Sequence, residues 1–180
     1  MLPLKKILCP TDFSEPSYAA LDHAIELAAH FDAELCLLHI VPFLNAPFTP
    51  DTSFTPALAP DFMGMSAMPS DAERLDEATR LLLDVAAERV PPGIKARCEV
   101  KMGYADKEIA CAATDGNFDL LVIATHGLSG WRHLVFGSVA EAIVRQSRCP
   151  VLTVHAAPAV AEAAPAGLNL EKAQGSLVPC

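Results

Sequence analysis

Residues 121–144 read LVIATHGLSGWRHLVFGSVAEAIV. A short apolar run, Leu121 to Ala124, ends in Thr125-His126-Gly127. Nine residues then separate Gly127 from Gly137, which is followed at once by Ser138 and a helix-like repeat. A strand that turns on glycine and feeds a helix is a place where backbone amides and the helix dipole hold phosphates. The stretch therefore predicts a strand, a loop and a helix of a parallel α/β sheet, with a ligand site at the strand's carboxyl end.

The flanking sequence keeps the same alternation. Residues 4–9, LKKILC, form a short apolar strand that ends at Pro10. Ser14 caps a helix whose first turn carries Glu15 and Pro16 and which runs to about His30. Leu21, Ala24, Ile25 and Ala28 make its apolar face. Residues 34–41, ELCLLHIV, are nearly all apolar, as in a strand buried on both faces. Ser70 and Glu73 form a capping box for a helix over 70–90, stopped by Pro91-Pro92-Gly93. A strand over 95–102, a short helix over 105–114 and a strand over 119–125 follow. Ser138 and Glu141 read as a second capping box, for a helix to about Ser147, and 149–156 is the last strand. The order βαβαβαβαβ gives an α/β fold: an open five-stranded parallel sheet of order 3-2-1-4-5 with helices on both faces, Rossmann-like.

At 180 residues the chain suits one domain, 1–156, plus a flexible C-terminal tail, 157–180. The segment 42–69 is rich in Pro, Phe and Met and reads as a long loop. Two readings of it stand: it packs over the site or a second subunit, or it covers its own domain. The balance of 22 acidic against 13 basic side chains argues against nucleic acid, which is held by clustered cations. No stretch is long enough to span a membrane, and the N-terminal apolar run ends too early for a signal peptide. Six cysteines without a C-x-x-C pair suit a reducing cytoplasm, with Cys180 free in the tail and the others in the core.

In such a sheet, ligands bind outside the carboxyl ends of the strands, where the strand order reverses. That places Pro10-Thr11-Asp12 opposite Ile123-Ala124-Thr125-His126-Gly127, with Ile40 and Val41 as an apolar wall. Gly137, Ser138 and the amide of Val139 start the last helix, whose first N–H groups lack intrahelical partners and favour a phosphate. Asp12 accepts from an amino group or a ribose hydroxyl, helps hold a divalent metal, or caps the first helix locally. Arg132 and His133 face the outer phosphates. There is no Walker A loop, no dinucleotide fingerprint, no nucleophile elbow and no H-E-x-x-H.

The segments CPTDFSEPSYAAL near the start and ATHGLSGWRHLVFGSVAEAIVRQSRCPVLTV near the end resemble the universal stress protein family. The resemblance covers roughly 1–156. It implies a fold of the adenine nucleotide alpha hydrolase-like type and an ATP site built on G-x2-G-x9-G-[ST], matched at Gly127, Gly137 and Ser138. It implies that Asp12 lies near the adenosine, that Val41 is the adenine contact, and that ATP carries Mg2+ or Mn2+. It also implies a homodimer through the last strand, Val151 to His155. The chain departs at the pattern's first glycine, where Ala124 stands. If that position needs a positive φ, alanine costs on the order of 1 kcal/mol.

Two functions remain in view. One is a cytoplasmic stress-response protein that binds ATP and regulates rather than turning over quickly. The alternative is a nucleotide-free dimeric interaction or signalling protein of the same fold. Slow hydrolysis would need a general base, with His126 the residue to test.

Overall fold

The computed structural model describes residues 4–43, 69–125 and 137–155. Nine elements alternate in the expected order: β1 (Lys6–Pro10), α1 (Glu15–Phe31), β2 (Glu34–Val41), α2 (Asp71–Arg89), β3 (Ala96–Met102), α3 (Ala105–Asp115), β4 (Leu120–Ala124), α4 (Ser138–Gln146) and β5 (Val151–Val154). The strands form one sheet of order β3-β2-β1-β4-β5, and every pairing is parallel. Residues 44–68, the bulk of the anticipated loop, and the tail 157–180 lie outside the described residues.

Strand alternation sorts the core into two layers. Ile7 and Cys9 of β1, Leu35 and Leu37 of β2 and Val122 of β4 pack under α1 and α2, against Ala20, Leu21, Ala24, Ala28 and Leu82. Leu8, Cys36, Leu38, Leu121 and Ile123 point the other way, against Ile109 and Ala112 of α3 and Ala140 and Ile143 of α4. The central strands are thus apolar on both sides, which is why β2 reads as a continuous run rather than an alternating one. The small residues of α1 bring that helix close to the sheet.

Helix ends follow the sequence on one side of the sheet and depart from it on the other. Ser14 caps α1 by accepting from the Ser17 N–H at 3.4 Å, and Ser70 and Glu73 form the full capping box of α2. The hydrogen bonds from Ser70 hold the Glu73 carboxyl below its ordinary range. The box expected at Ser138 does not form. Gly137 is the N-cap of α4, no side chain caps the helix, and Ser138 is its first residue. Glu141 instead pairs with Arg145 one turn on, at 2.8 Å. The chain enters α4 one residue earlier than the Ser-x-x-Glu signature suggests, so the hydroxyl sits past the position from which it can cap.

The cysteines are also less uniform than expected. Cys9 and Cys36 are buried, Cys98 and Cys149 are half-buried and Cys111 is exposed on α3. Burial, which disfavours the thiolate, pushes the Cys9 thiol up to about 12 and Cys36 to about 11, from an ordinary 9.0. Iodoacetamide should therefore label Cys111 of the native chain well before Cys9 or Cys36, read by peptide mass spectrometry. Because both folded values are raised, the unfolded chain loses these protons first as pH climbs past 9. Their stabilisation should be complete below that pH and should fade towards pH 11 to 12, seen as a falling thermal midpoint. Cys9→Ala should remove part of that slope.

Candidate functional site

The strand order reverses between β1 and β4. The chain leaves β1 towards β2 on one side, while β4 pairs on the other through Ile7 with Leu120 and Leu8 with Leu121. Past the carboxyl ends of these two strands lies a crevice of about 160 Å3. Pro10, Thr11 and Asp12 form one side of it and Ile123, Ala124 and Thr125 the other. Gly137, Ser138, Val139 and Ala140, the start of α4, close its end, and Leu38, Ile40 and Ile109 supply an apolar wall. Among the described lining residues, Asp12 is the one acid and His39 the one base.

The first side is held by a network of hydroxyls. Ser17 Oγ donates to the Ser14 carbonyl at 2.8 Å, so its oxygen is left to accept from Thr11 Oγ1 at 2.9 Å. Thr11 Oγ1 in turn accepts from the Phe13 N–H at 3.1 Å. Asp12 Oδ1 accepts from both the N–H and the hydroxyl of Ser14. Asp12 therefore does support the N-cap of α1, and it lines the crevice as well. Phe13 sits at φ 64, in the left-handed region that costs a bulky residue about 1 kcal/mol. Its ring lies against the His39 ring, with centroids 4.4 Å apart.

The second side turns on Thr125. Its N–H donates to the Val154 carbonyl at 2.9 Å, which continues the β4–β5 ladder. Its carbonyl accepts from the Gly137 N–H at 2.6 Å, fastening the start of α4 to the end of β4. Its hydroxyl meets His155 Nδ1 at 3.0 Å. The N-cap amide of α4 is thus satisfied, while those of Ser138, Val139 and Ala140 lack intrahelical partners and belong to residues on the crevice wall. Together with the helix dipole they make an anion-binding surface.

Most of the sequence-derived site assembles here: Pro10, Thr11, Asp12, Ile123, Ala124, Thr125, Gly137, Ser138 and Val139 line one cavity. His126, Gly127 and Arg132 lie outside the described residues. Val41 is buried beneath the sheet's end and is not a lining residue; Ile40, one position earlier, faces the crevice. Leu38, His39 and Ile40 all reach the crevice from β2, and Val41 does not. Ala124 is an ordinary strand residue, absent from the positive-φ positions, and its side chain joins the core on the α1 side. The strain considered for this departure from glycine does not arise. Sequence reasoning missed His39, Ser17 and Ile109. His39 lies on the opposite face of β2 from Leu38 and Ile40, so alternation gives no signal for it, and Ile109 reads only as a core position. Among the described residues, no three His, Cys, Asp or Glu side chains group as a metal site.

A parallel sheet with a crevice at its switch point is the arrangement at which open α/β domains take their ligands. Residues 3–155 match the model of the Universal stress protein family, and the chain belongs to that family. Universal stress protein MJ0531 of Methanocaldococcus jannaschii is 33% identical over 153 residues, 83% of this chain and 81% of that protein. Universal stress protein YxiE of Bacillus subtilis is 28% identical, over 83% and 98%. The solved structure of MJ0577, also from M. jannaschii, superposes with a TM-score of 0.67 at 26% identity, covering 87% of this chain and 99% of that one. A universal stress protein solved in complex with cAMP shares the fold at 23% identity, with a TM-score of 0.57 over 86% and 99%.

Thr11→Val tests the hydroxyl network. The change is nearly isosteric but strands the Phe13 N–H and one lone pair of Ser17, so it should cost about 1–3 kcal/mol in urea unfolding. An unchanged midpoint would show that the network contributes nothing.

Proposed function

We propose that this chain binds ATP at the crevice between β1 and β4 and acts as a nucleotide-dependent regulator in the stress response, rather than as a fast enzyme. The observation that carries the reading is the start of α4: a nine-residue helix without a side-chain cap, whose first amides line the crevice opposite Asp12. These amides suit a phosphate group. The apolar wall of Leu38, Ile40 and Ile109 suits a nucleobase, and Asp12 offers a carboxylate to a ribose hydroxyl or an amino group. At about 160 Å3 the cavity is of a size for the nucleobase, and the phosphates would lie outside it, along the helix start. Mg2+ or Mn2+ would arrive on the triphosphate, with Asp12 the nearest described carboxylate.

The binding groups point to regulation. Backbone amides hold a phosphate without moving a proton, and Asp12 Oδ1 is engaged by Ser14. The edge position of β5 supports a homodimer: Leu152 is 39% exposed on a strand whose outer edge no described strand covers. A cytoplasmic location suits the free thiols, and no helix among the described residues is long and apolar enough to cross a membrane.

Denaturing the purified protein should release an adenine nucleotide, and calorimetric titration with MgATP should show saturable binding. No released nucleotide and no affinity at millimolar ATP would contradict the reading and favour the nucleotide-free interaction protein. Gly137→Asp is the sharper variant. Gly137 has φ −71, which any residue adopts, and aspartate is a good N-cap. The helix should gain a few tenths of a kcal/mol, while the new carboxylate takes the amides and repels phosphate. ATP affinity should fall more than tenfold with the thermal midpoint unchanged or raised. For assembly, Leu152→Lys should convert a dimer to a monomer in sedimentation without loss of fold.

A further inference from the structure

We infer that His39 is the positioning residue for Asp12 in the nucleotide site, an inference that rests on the reading proposed above. His39 lies near the carboxyl end of β2 and lines the crevice. Its Nδ1 is 2.8 Å from the Thr11 carbonyl oxygen. A carbonyl only accepts, so Nδ1 carries the hydrogen, and in the neutral ring Nε2 holds the lone pair. The same ring packs on Phe13, with centroids 4.4 Å apart and planes inclined by 34°. One imidazole therefore holds the residue before Asp12 by its carbonyl and the residue after it by its ring.

The hydrogen bond, more than the ring contact, bears on the carboxylate. The Thr11 carbonyl belongs to the peptide plane that joins Thr11 to Asp12, so fixing it fixes the direction in which the Asp12 side chain leaves the backbone. Phe13 holds a left-handed conformation, φ 64, which persists only where the surroundings enforce it. The two Ser14 contacts then set Oδ1 itself. Residues 11–14 connect β1 to α1 outside any strand or helix, whereas His39 sits on a strand paired on both sides: Leu38, its neighbour, lies opposite Pro10, and His39 itself opposite Val100. A group on the rigid sheet thus holds a site residue carried by a loop.

Two variants divide the contacts. His39→Phe keeps a ring on Phe13 and removes the donor. In His39→Asn the side-chain amide nitrogen stands as many bonds from Cα as Nδ1 does, so the donor stays and the ring goes. With the full chain and MgATP in calorimetry, His39→Phe should bind roughly tenfold more weakly. His39→Asn should bind within about threefold of the original chain. A histidine that serves stability alone would give the reverse order, with affinity following the thermal midpoint and the ring-keeping variant binding better. Unchanged affinity in His39→Phe, or His39→Asn as weak as His39→Phe, overturns the inference. If the unaltered chain binds no ATP, the nucleotide reading itself fails and the inference falls with it; binding by that chain with no response to His39→Phe overturns this inference alone. The imidazole 15N spectrum of the unaltered protein gives a check that no folding defect can obscure. An Nδ1–H tautomer retained on adding ATP is expected, and an Nε2–H tautomer with bare Nδ1 overturns the assignment.

Discussion

The site depends on one backbone hydrogen bond, from the Gly137 N–H to the Thr125 carbonyl. Thr125 is the first residue past β4, and Gly137 is the N-cap of α4, so the bond pins a helix start to a strand end across the intervening segment. The same peptide segment is tied to β5 through the Thr125 N–H and Val154. Core packing of Ala140 and Ile143 holds the body of α4 on the sheet, and this closure fixes where its first amides lie. With it, they line the crevice opposite Asp12, and a surface for an anion exists before any ligand arrives.

Capping follows the same division. The two helices on the face away from the crevice's apolar wall, α1 and α2, both start with a serine that accepts from the backbone. The two helices on the other face, α3 and α4, both start without a side-chain cap, and both place first-turn residues, Ala105 and Ser138 to Ala140, on the crevice. A helix that withholds its own cap sacrifices local stability of up to about 1 kcal/mol relative to a good N-cap residue. It gains donors that a ligand can use. Glycine at the N-cap of α4 limits the loss, since glycine there is only slightly worse than serine or aspartate.

Much of this was legible in the sequence. Hydrophobic runs and turn residues gave the nine elements, because buried parallel strands must be apolar on both faces, and the common order of such sheets, 3-2-1-4-5, placed the switch point between β1 and β4. The convergence of Pro10-Thr11-Asp12 with Ile123-Ala124-Thr125 followed from that order alone. What escaped was geometry finer than an element. The Ser138-x-x-Glu141 pattern looks like a cap, but helix entry one residue earlier makes Ser138 the first helical residue, on the rim of the crevice. Val41 and Ile40 are both apolar, and no sequence signal separates the one that lines the crevice from the one that does not. Ala124 looked costly because a pattern asks for glycine there, yet its backbone is plain strand. His39 carried no motif; its place became visible only when the Thr11 carbonyl and the Phe13 ring were found on either side of Asp12.

The central claim is that the open amides of α4 receive phosphate. The most direct measurement is a 1H–15N correlation spectrum of the labelled protein during titration with MgATP, with adenosine as the control. The account predicts that the Ser138, Val139 and Ala140 amides move downfield with ATP and little with adenosine, while Ile40 and Ile109 respond to both. Amides at the start of α4 that stay fixed as ATP saturates, or that move equally with adenosine, would contradict it.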